Sequence, residues 1–226
     1  MQDPSPDLDR KAMARLARGE ESAMDELMAR HGVSIYNFLC RMVGDPSEAR
    51  DLAQETFVRV YRSRESFHAG AHFGSWVFTI AGNLARNHLR WRNRHPTSPI
   101  DAPEGHGERP LEERLPAPTQ PPSEIAAETE LHAAVHEAIN GLNPEMREAV
   151  LLVDVHGKSV KEASGIAQVP ARTVESRLYH ARRILRRRLC RWVGSEAEEG
   201  TPDHRRMMET ASAPRRWSLG RLWRNR

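Results

Sequence analysis

Two groups of side chains in this 226-residue chain have the types and spacing to meet a polyanion. One begins with Phe67, Phe73, Trp76 and Phe78, four aromatics crowded around Gly70 and Gly74 in a chain that is only 6% aromatic. Behind them Asn83, Arg86, Asn87, Arg90 and Arg94 recur three or four residues apart, so a helix there carries one face of amides and guanidinium groups. The other group lies between residues 171 and 191. There Val174, Leu178, Ala181, Leu185 and Leu189 mark an inward stripe, while Arg172, Arg177, Arg182, Arg183, Arg186, Arg187, Arg188 and Arg191 point outward. Clustered arginine of this kind favours a polyanionic partner.

No rival chemistry is spelled out. The chain holds no phosphate-binding glycine loop, no ligand set with metal spacing and no nucleophile with an evident base, so neither catalytic residues nor a cofactor are expected. The 11 histidines are scattered. His31 has no His, Cys or carboxylate at i+3 or i+4 and reads as a core or boundary residue, not a ligand.

Positioning these groups falls to helices. Asp45-Pro46-Ser47-Glu48 combines an N-cap, a proline at the first helical position and a glutamate three residues past the cap. The helix it starts has Ala49, Leu52, Ala53, Thr56, Phe57, Val60 and Tyr61 along one stripe, and Glu48, Asp51, Gln54, Glu55 and Arg59 opposite. Upstream, Leu8 to Arg18 forms a short helix ended by Gly19, and a second helix runs from about Ser22 to Gly44. Downstream, the basic helix spans about Gly74 to Arg92. In the second half an amphipathic helix starts near Ile125, and Asn143-Pro144 restarts the chain into a helix that His156-Gly157-Lys158 stops. Ser159-Val160-Lys161-Glu162 is a capping box that opens a short helix through Ala167. A turn at Gln168-Val169-Pro170 then leads into the arginine-rich helix. Short capped helix, tight turn and longer basic helix make the pattern of a helix-turn-helix whose second helix enters the major groove.

The expected fold is all-α: two small helical domains, residues 1–94 and 125–193, the second a helix-turn-helix, joined by a flexible Pro-rich linker, 95–124. The linker holds more than half of the 15 prolines together with Asp101, Glu104, Glu108, Glu112 and Glu113, a composition that cannot repay its ordering entropy. It is either a solvated spacer or an acidic tether able to occupy a nucleic-acid channel. Residues 194–226 pass from an acidic patch to a basic tail with Trp217 and Trp223, expected to be disordered, with a short membrane-surface or nucleic-acid-binding segment as the alternative. Net charge is +3 and the pI is near 9.2. Cys40 and Cys190 lie far apart without a CxxC pairing, which fits a reducing cytoplasm. The first residues lack a signal-peptide core and no run of about 18 apolar residues exists, so a cytoplasmic protein without stable membrane insertion is expected.

Taken in order, Asp51-Leu52-Ala53-Gln54-Glu55-Thr56-Phe57, Phe73-Gly74-Ser75-Trp76 with Ile80-Ala81-Gly82-Asn83, and Leu142-Asn143-Pro144 with Arg172-Thr173-Val174-Glu175-Ser176-Arg177-Leu178 form a series. This series resembles the extracytoplasmic-function (ECF) group of bacterial RNA polymerase sigma factors, which keep only a promoter-melting domain and a minus-35-binding domain joined by a linker. The resemblance covers roughly residues 10–94 and 125–192. It implies that Asp51, Gln54 and Glu55 dock on the clamp helices of the largest subunit of core RNA polymerase. It implies that Phe67, His68 and Phe73 are candidates to capture flipped minus-10 bases, stacking being worth about 1–3 kcal/mol per base; Trp76 and Phe78 fit that pocket or the core, and the core is the preferred reading. Asn83, Arg86, Asn87 and Arg90 would contact the edge of the melted DNA, amides reading bases and guanidinium groups holding phosphates. Arg172, Thr173, Glu175, Ser176, Arg177, Tyr179 and Arg182 would meet the minus-35 duplex. Arg172 stands where the family usually has glycine and Glu175 where a basic residue is frequent; a glutamate there can accept from cytosine N4 and shift the promoter preference. An anti-sigma protein is an implied partner beside core polymerase and promoter DNA.

Two other readings stay open on the residues. A dimeric helix-turn-helix regulator would bind duplex DNA only, use residues 10–94 for dimerisation or sensing, and recognise palindromic half-sites. A recombinase-like enzyme would need a nucleophile or carboxylate cluster in its first domain, where Ser47, Ser63 and Ser66 lack convincing basic partners.

Overall fold

The computed structural model of the chain describes residues 6–68, 70–95 and 122–190, with side chains from Glu130 onward in the last stretch. Most of the expected linker, the whole expected tail with Trp217 and Trp223, and Arg191 of the expected arginine-rich helix lie outside the described residues. Among the described residues there are helices and turns but no strand.

The first helical group comprises α1 (Pro6–Ala17), α2 (Ser22–Val43), α3 (Pro46–Arg62) and α4 (Phe73–Arg94), with a 3-10 turn at Arg64–Ser66. The central member is α2, along which Leu27, Ile35, Phe38, Leu39 and Met42 are fully buried against α1, α3 and α4. Each such side chain contributes about 1.5–3 kcal/mol of burial free energy. Gly44 closes α2 with a φ of 82°, returning its N–H to the Cys40 carbonyl in a left-handed turn that a side chain would strain. The next residue caps α3: the Asp45 carboxylate accepts from the Glu48 N–H at 2.9 Å, and Pro46 occupies the first turn. Only that half of the expected box forms. The Glu48 carboxylate turns away instead and lies 2.8 Å from His88 Nε2, which ties α3 to α4.

The second group comprises α5 (Pro122–Asn140), α6 (Pro144–Val150), α7 (Val160–Ala167) and α8 (Ala171–Arg188). The turn after α6, Leu151–Val155, widens into a π-helix, and the His156 N–H returns to the Leu151 carbonyl at 2.9 Å. Asn143 caps α6 through the Met146 N–H at 2.8 Å, and the full capping box forms between Ser159 and Glu162. Gln168 adopts the left-handed conformation that turns the chain from α7 into α8. Arg188, expected on the outer face of α8, folds back and donates to the carbonyls of Ala138 and Gly141 at 2.8 and 3.1 Å. The last carbonyls of a helix have no intrahelical partner and lie at the negative end of its dipole, so the end of α5 attracts a cation.

A flexible linker gives no reason for the two groups to touch, yet one continuous core runs through both. Phe38 of α2 and Phe78 of α4 hold the His156 ring at centroid distances of 5.9 and 5.0 Å. Arg147 donates to the Met42 carbonyl at 2.6 Å, Ser75 donates to Glu162 at 3.4 Å, and Arg86 donates to Glu148. This seam is not visible in helical periodicity, because a residue facing a second domain has the same spacing as one facing its own.

Candidate nucleic-acid and polymerase interfaces

The acidic face of α3 is open. Asp51 and Gln54 are exposed and Glu55 is half-buried, paired with Arg59 one turn later at 2.7 Å. Beside them runs a groove of about 420 Å³ lined by Met24, Met28, Phe57, Val58 and Tyr61, with Gln54 and Arg62 at its edge. Met28 is 46% and Val58 42% exposed, so the groove presents apolar surface next to the acidic residues. Sequence reasoning missed this neighbour of the acidic set. Its signal is Val58, an apolar residue on the otherwise polar side of the helix.

The aromatic segment is more closed than its composition implies. Phe73 is 2% exposed and packs edge-on against His31 at 4.9 Å between ring centroids. As the first residue of α4 it packs into the core in this structure. Phe67 is half-buried on Trp76, 5.0 Å between centroids, and His68 is exposed. Trp76 and Phe78 pack in or against the core, as expected. Of the stacking candidates, Phe67 and His68 alone present surface.

The polar face of α4 splits in two. Asn87 and Arg90 are exposed and bonded to each other at 3.0 Å. Asn83 accepts from Arg86 at 2.5 Å, and Arg86 also donates to Glu148 of the second group. Glu148 is 1% exposed, and loss of hydration pushes its carboxyl up to about 7, more than the nearby Arg86 and Arg177 pull it down. Arg86 is therefore committed inward.

On α8, Arg172, Glu175 and Ser176 are exposed, and Thr173, Arg177 and Tyr179 are half-buried, so the first two turns offer a polar surface. Arg182, the last of the expected DNA set, is exposed but bonded within its own helical group. Its Nε and Nη2 grip the carboxylate of buried Asp154 at 3.1 and 2.5 Å, tying α8 to the π-turn. That bond holds the guanidinium still further above its ordinary pKa. Among the described residues no group of three His, Cys, Asp or Glu could hold a metal ion, and no helix is long and apolar enough to cross a membrane.

Two family models match the chain, one on each helical group: Sigma-70 region 2 over residues 27–95 and Sigma-70, region 4 over residues 132–185. The RNA polymerase sigma-H factor of Pseudomonas aeruginosa is 32% identical over 181 residues, which cover 78% of this chain and 91% of that protein. The ECF RNA polymerase sigma factor SigE of Mycolicibacterium smegmatis is 34% identical over 80% of this chain and 68% of its own length. The chain belongs to the ECF sigma factors. This sigma factor also resembles the solved structure of CnrH in complex with the cytosolic domain of CnrY, with a TM-score of 0.59 and 26% identity over 81% of the chain and 98% of that one. Like its family, the sigma factor recognises promoters and initiates transcription with RNA polymerase, which disfavours a regulator that binds duplex DNA alone.

Proposed function

We propose that residues 1–94 of this sigma factor bind core polymerase and melt the promoter, that residues 125–193 read the minus-35 element, and that 95–124 tether the two. Asp51, Gln54 and Glu55 dock on the polymerase clamp helices, with the apolar groove beside them taking part. Phe67 and His68 receive unpaired minus-10 bases, while Asn83, Arg86, Asn87 and Arg90 follow the adjoining strand. Arg172, Thr173, Glu175, Ser176, Arg177 and Tyr179 meet the minus-35 duplex. Binding energy alone drives these steps, and nucleotide chemistry belongs to the polymerase. The protein works in the cytoplasm and takes an anti-sigma partner; the similar CnrH was solved in complex with the cytosolic domain of CnrY.

One observation carries the reading: the two sigma-region matches fall in order on the two helical groups, and each group ends in a helix with an exposed polar, arginine-bearing face. The test is a pull-down with purified bacterial core RNA polymerase, wild type beside an Asp51→Ala, Gln54→Ala, Glu55→Ala triple variant. Capture of wild type and loss in the variant is expected. Equal capture of both would remove the acidic face from the docking surface.

A further inference from the structure

Glu148 is a buried carboxylate at the seam between the two helical groups. It is 1% exposed on α6, its carboxylate accepts from Arg86 of α4 in the other group, and Arg177 of α8 lies close enough to favour its charge. Both arginines are assigned above to DNA, one at each promoter element. A single carboxylate thus sits where a phosphate would otherwise meet them. The approach is tight, and the sequence makes room for it at Gly82: a Cβ there would meet Glu148 Oε1 at 3.0 Å and Arg86 Nη1 at 3.3 Å. Around this point the seam is closed by Arg147 on the Met42 carbonyl and by His156 between Phe38 and Phe78.

We propose that Glu148 is an internal phosphate mimic that clasps Arg86, holding the two helical groups shut and keeping Arg86 from DNA until nucleic acid or polymerase displaces it. The inference rests on the assignment of Arg86 to promoter DNA. Truncating Glu148 leaves the guanidinium without its counter-charge in the closed form, with Asn83 alone as acceptor, whereas separation of the groups returns it to water, so the open form gains. A larger side chain at Gly82 acts on the same point by a different route. Leucine is a good helix former, so it supports α4 itself while filling the space that the carboxylate occupies.

The experiment compares full-length wild type, Glu148→Ala, Gly82→Leu and the double variant Glu148→Ala with Arg86→Ala. Small-angle X-ray scattering reads the separation of the groups, and circular dichroism reads helix content. Fluorescence anisotropy with a short mixed-sequence DNA single strand reads the exposed charge. Glu148→Ala and Gly82→Leu should enlarge the radius of gyration at unchanged helix content. Glu148→Ala should bind the strand roughly threefold to tenfold more tightly, the size of one added charge-assisted contact, and the double variant should lose that gain. An unchanged radius in the variants that stay helical would overturn the clasp, and expansion without a gain in affinity would overturn the phosphate-mimic role. Failure of the polymerase pull-down beside a positive scattering result would sink the docking assignment and leave the clasp standing.

Discussion

Asp9 Oδ2 lies 2.7 Å from His31 Nε2, while Asp9 Oδ1 accepts from Arg30 Nε at 2.8 Å. Asp9 and His31 are 2% and 3% exposed, so one buried carboxylate fastens α1 to two successive residues of α2. Removing a partner from a buried pair leaves polar groups without water or counter-charge, at a cost of about 3–5 kcal/mol. Asp9→Ala should therefore release α1 first. Amide hydrogen exchange resolved by segment should show protection lost over residues 6–17 before it is lost in α3 and α4; uniform loss in all four helices would place the cost elsewhere.

The same pair shows what the sequence can and cannot reveal. Helical spacing is enough to place His31 in the core, because its neighbours Leu27 and Ile35 share its stripe. It cannot name Asp9 as the partner: Asp9 shares the stripe of Ala12, Met13 and Leu16 in α1, but nothing local tells that its carboxylate meets Arg30 and His31 once α1 lies across α2. Arg86 and Arg182 repeat the lesson. Both sit on stripes of arginine that point to nucleic acid, and both are taken up by acids from other elements, Glu148 and Asp154. Caps, turns and stripes depend on residues three or four apart and were legible; pairings across the seam depend on how the groups dock and were not.

Phe73 and His68 separate stability from base capture. Phe73→Ala empties a core position against His31 and Trp76, and should lower stability by about 3–5 kcal/mol. His68 is exposed, so His68→Ala should leave the melting temperature unchanged while weakening the open complex. Thermal melts beside permanganate footprints of the promoter bubble check both. A normal footprint for His68→Ala would remove this residue from the stacking surface.

Arg177 and Arg182 make a similar contrast on α8. Because Asp154 holds Arg182 in a two-point grip, Arg182→Ala should loosen α8 against the π-turn and lower affinity for matched and scrambled minus-35 duplexes alike. Arg177, five residues earlier on the surface offered to DNA, should act on discrimination. Its replacement by alanine is expected to cost about 1–3 kcal/mol on the matched site and less on the scrambled one. Competition binding with the two duplexes decides; equal losses for Arg177→Ala would make it a phosphate contact.

The seam also carries two buried groups whose titrations oppose one another. Glu148 faces Arg86 of α4, Arg177 of α8 and Glu145 of its own helix, and loss of hydration raises its pKa from 4.5 to about 7. A raised carboxyl pKa favours the closed form below 4.5, and that contribution is lost as pH climbs through 7. His156 faces Arg41 and Lys158, and burial lowers its pKa from 6.5 to about 3. A lowered histidine pKa favours the closed form above 6.5, and that contribution is lost as pH falls. Between pH 4.5 and 6.5 the two slopes have opposite sign, so wild-type closure should change less there than with either group alone. Glu148→Gln, which still offers Arg86 an acceptor, removes one slope and should make closure strengthen with rising pH across this window. His156→Phe keeps the ring between Phe38 and Phe78 and removes a buried Nε2 that has no partner among the described residues. It should make closure weaken with rising pH. Scattering profiles at pH 4.5, 5.5 and 6.5 for the three proteins test this. Parallel pH profiles in wild type and both variants would mean that neither group is uncovered when the two halves of the sigma factor part.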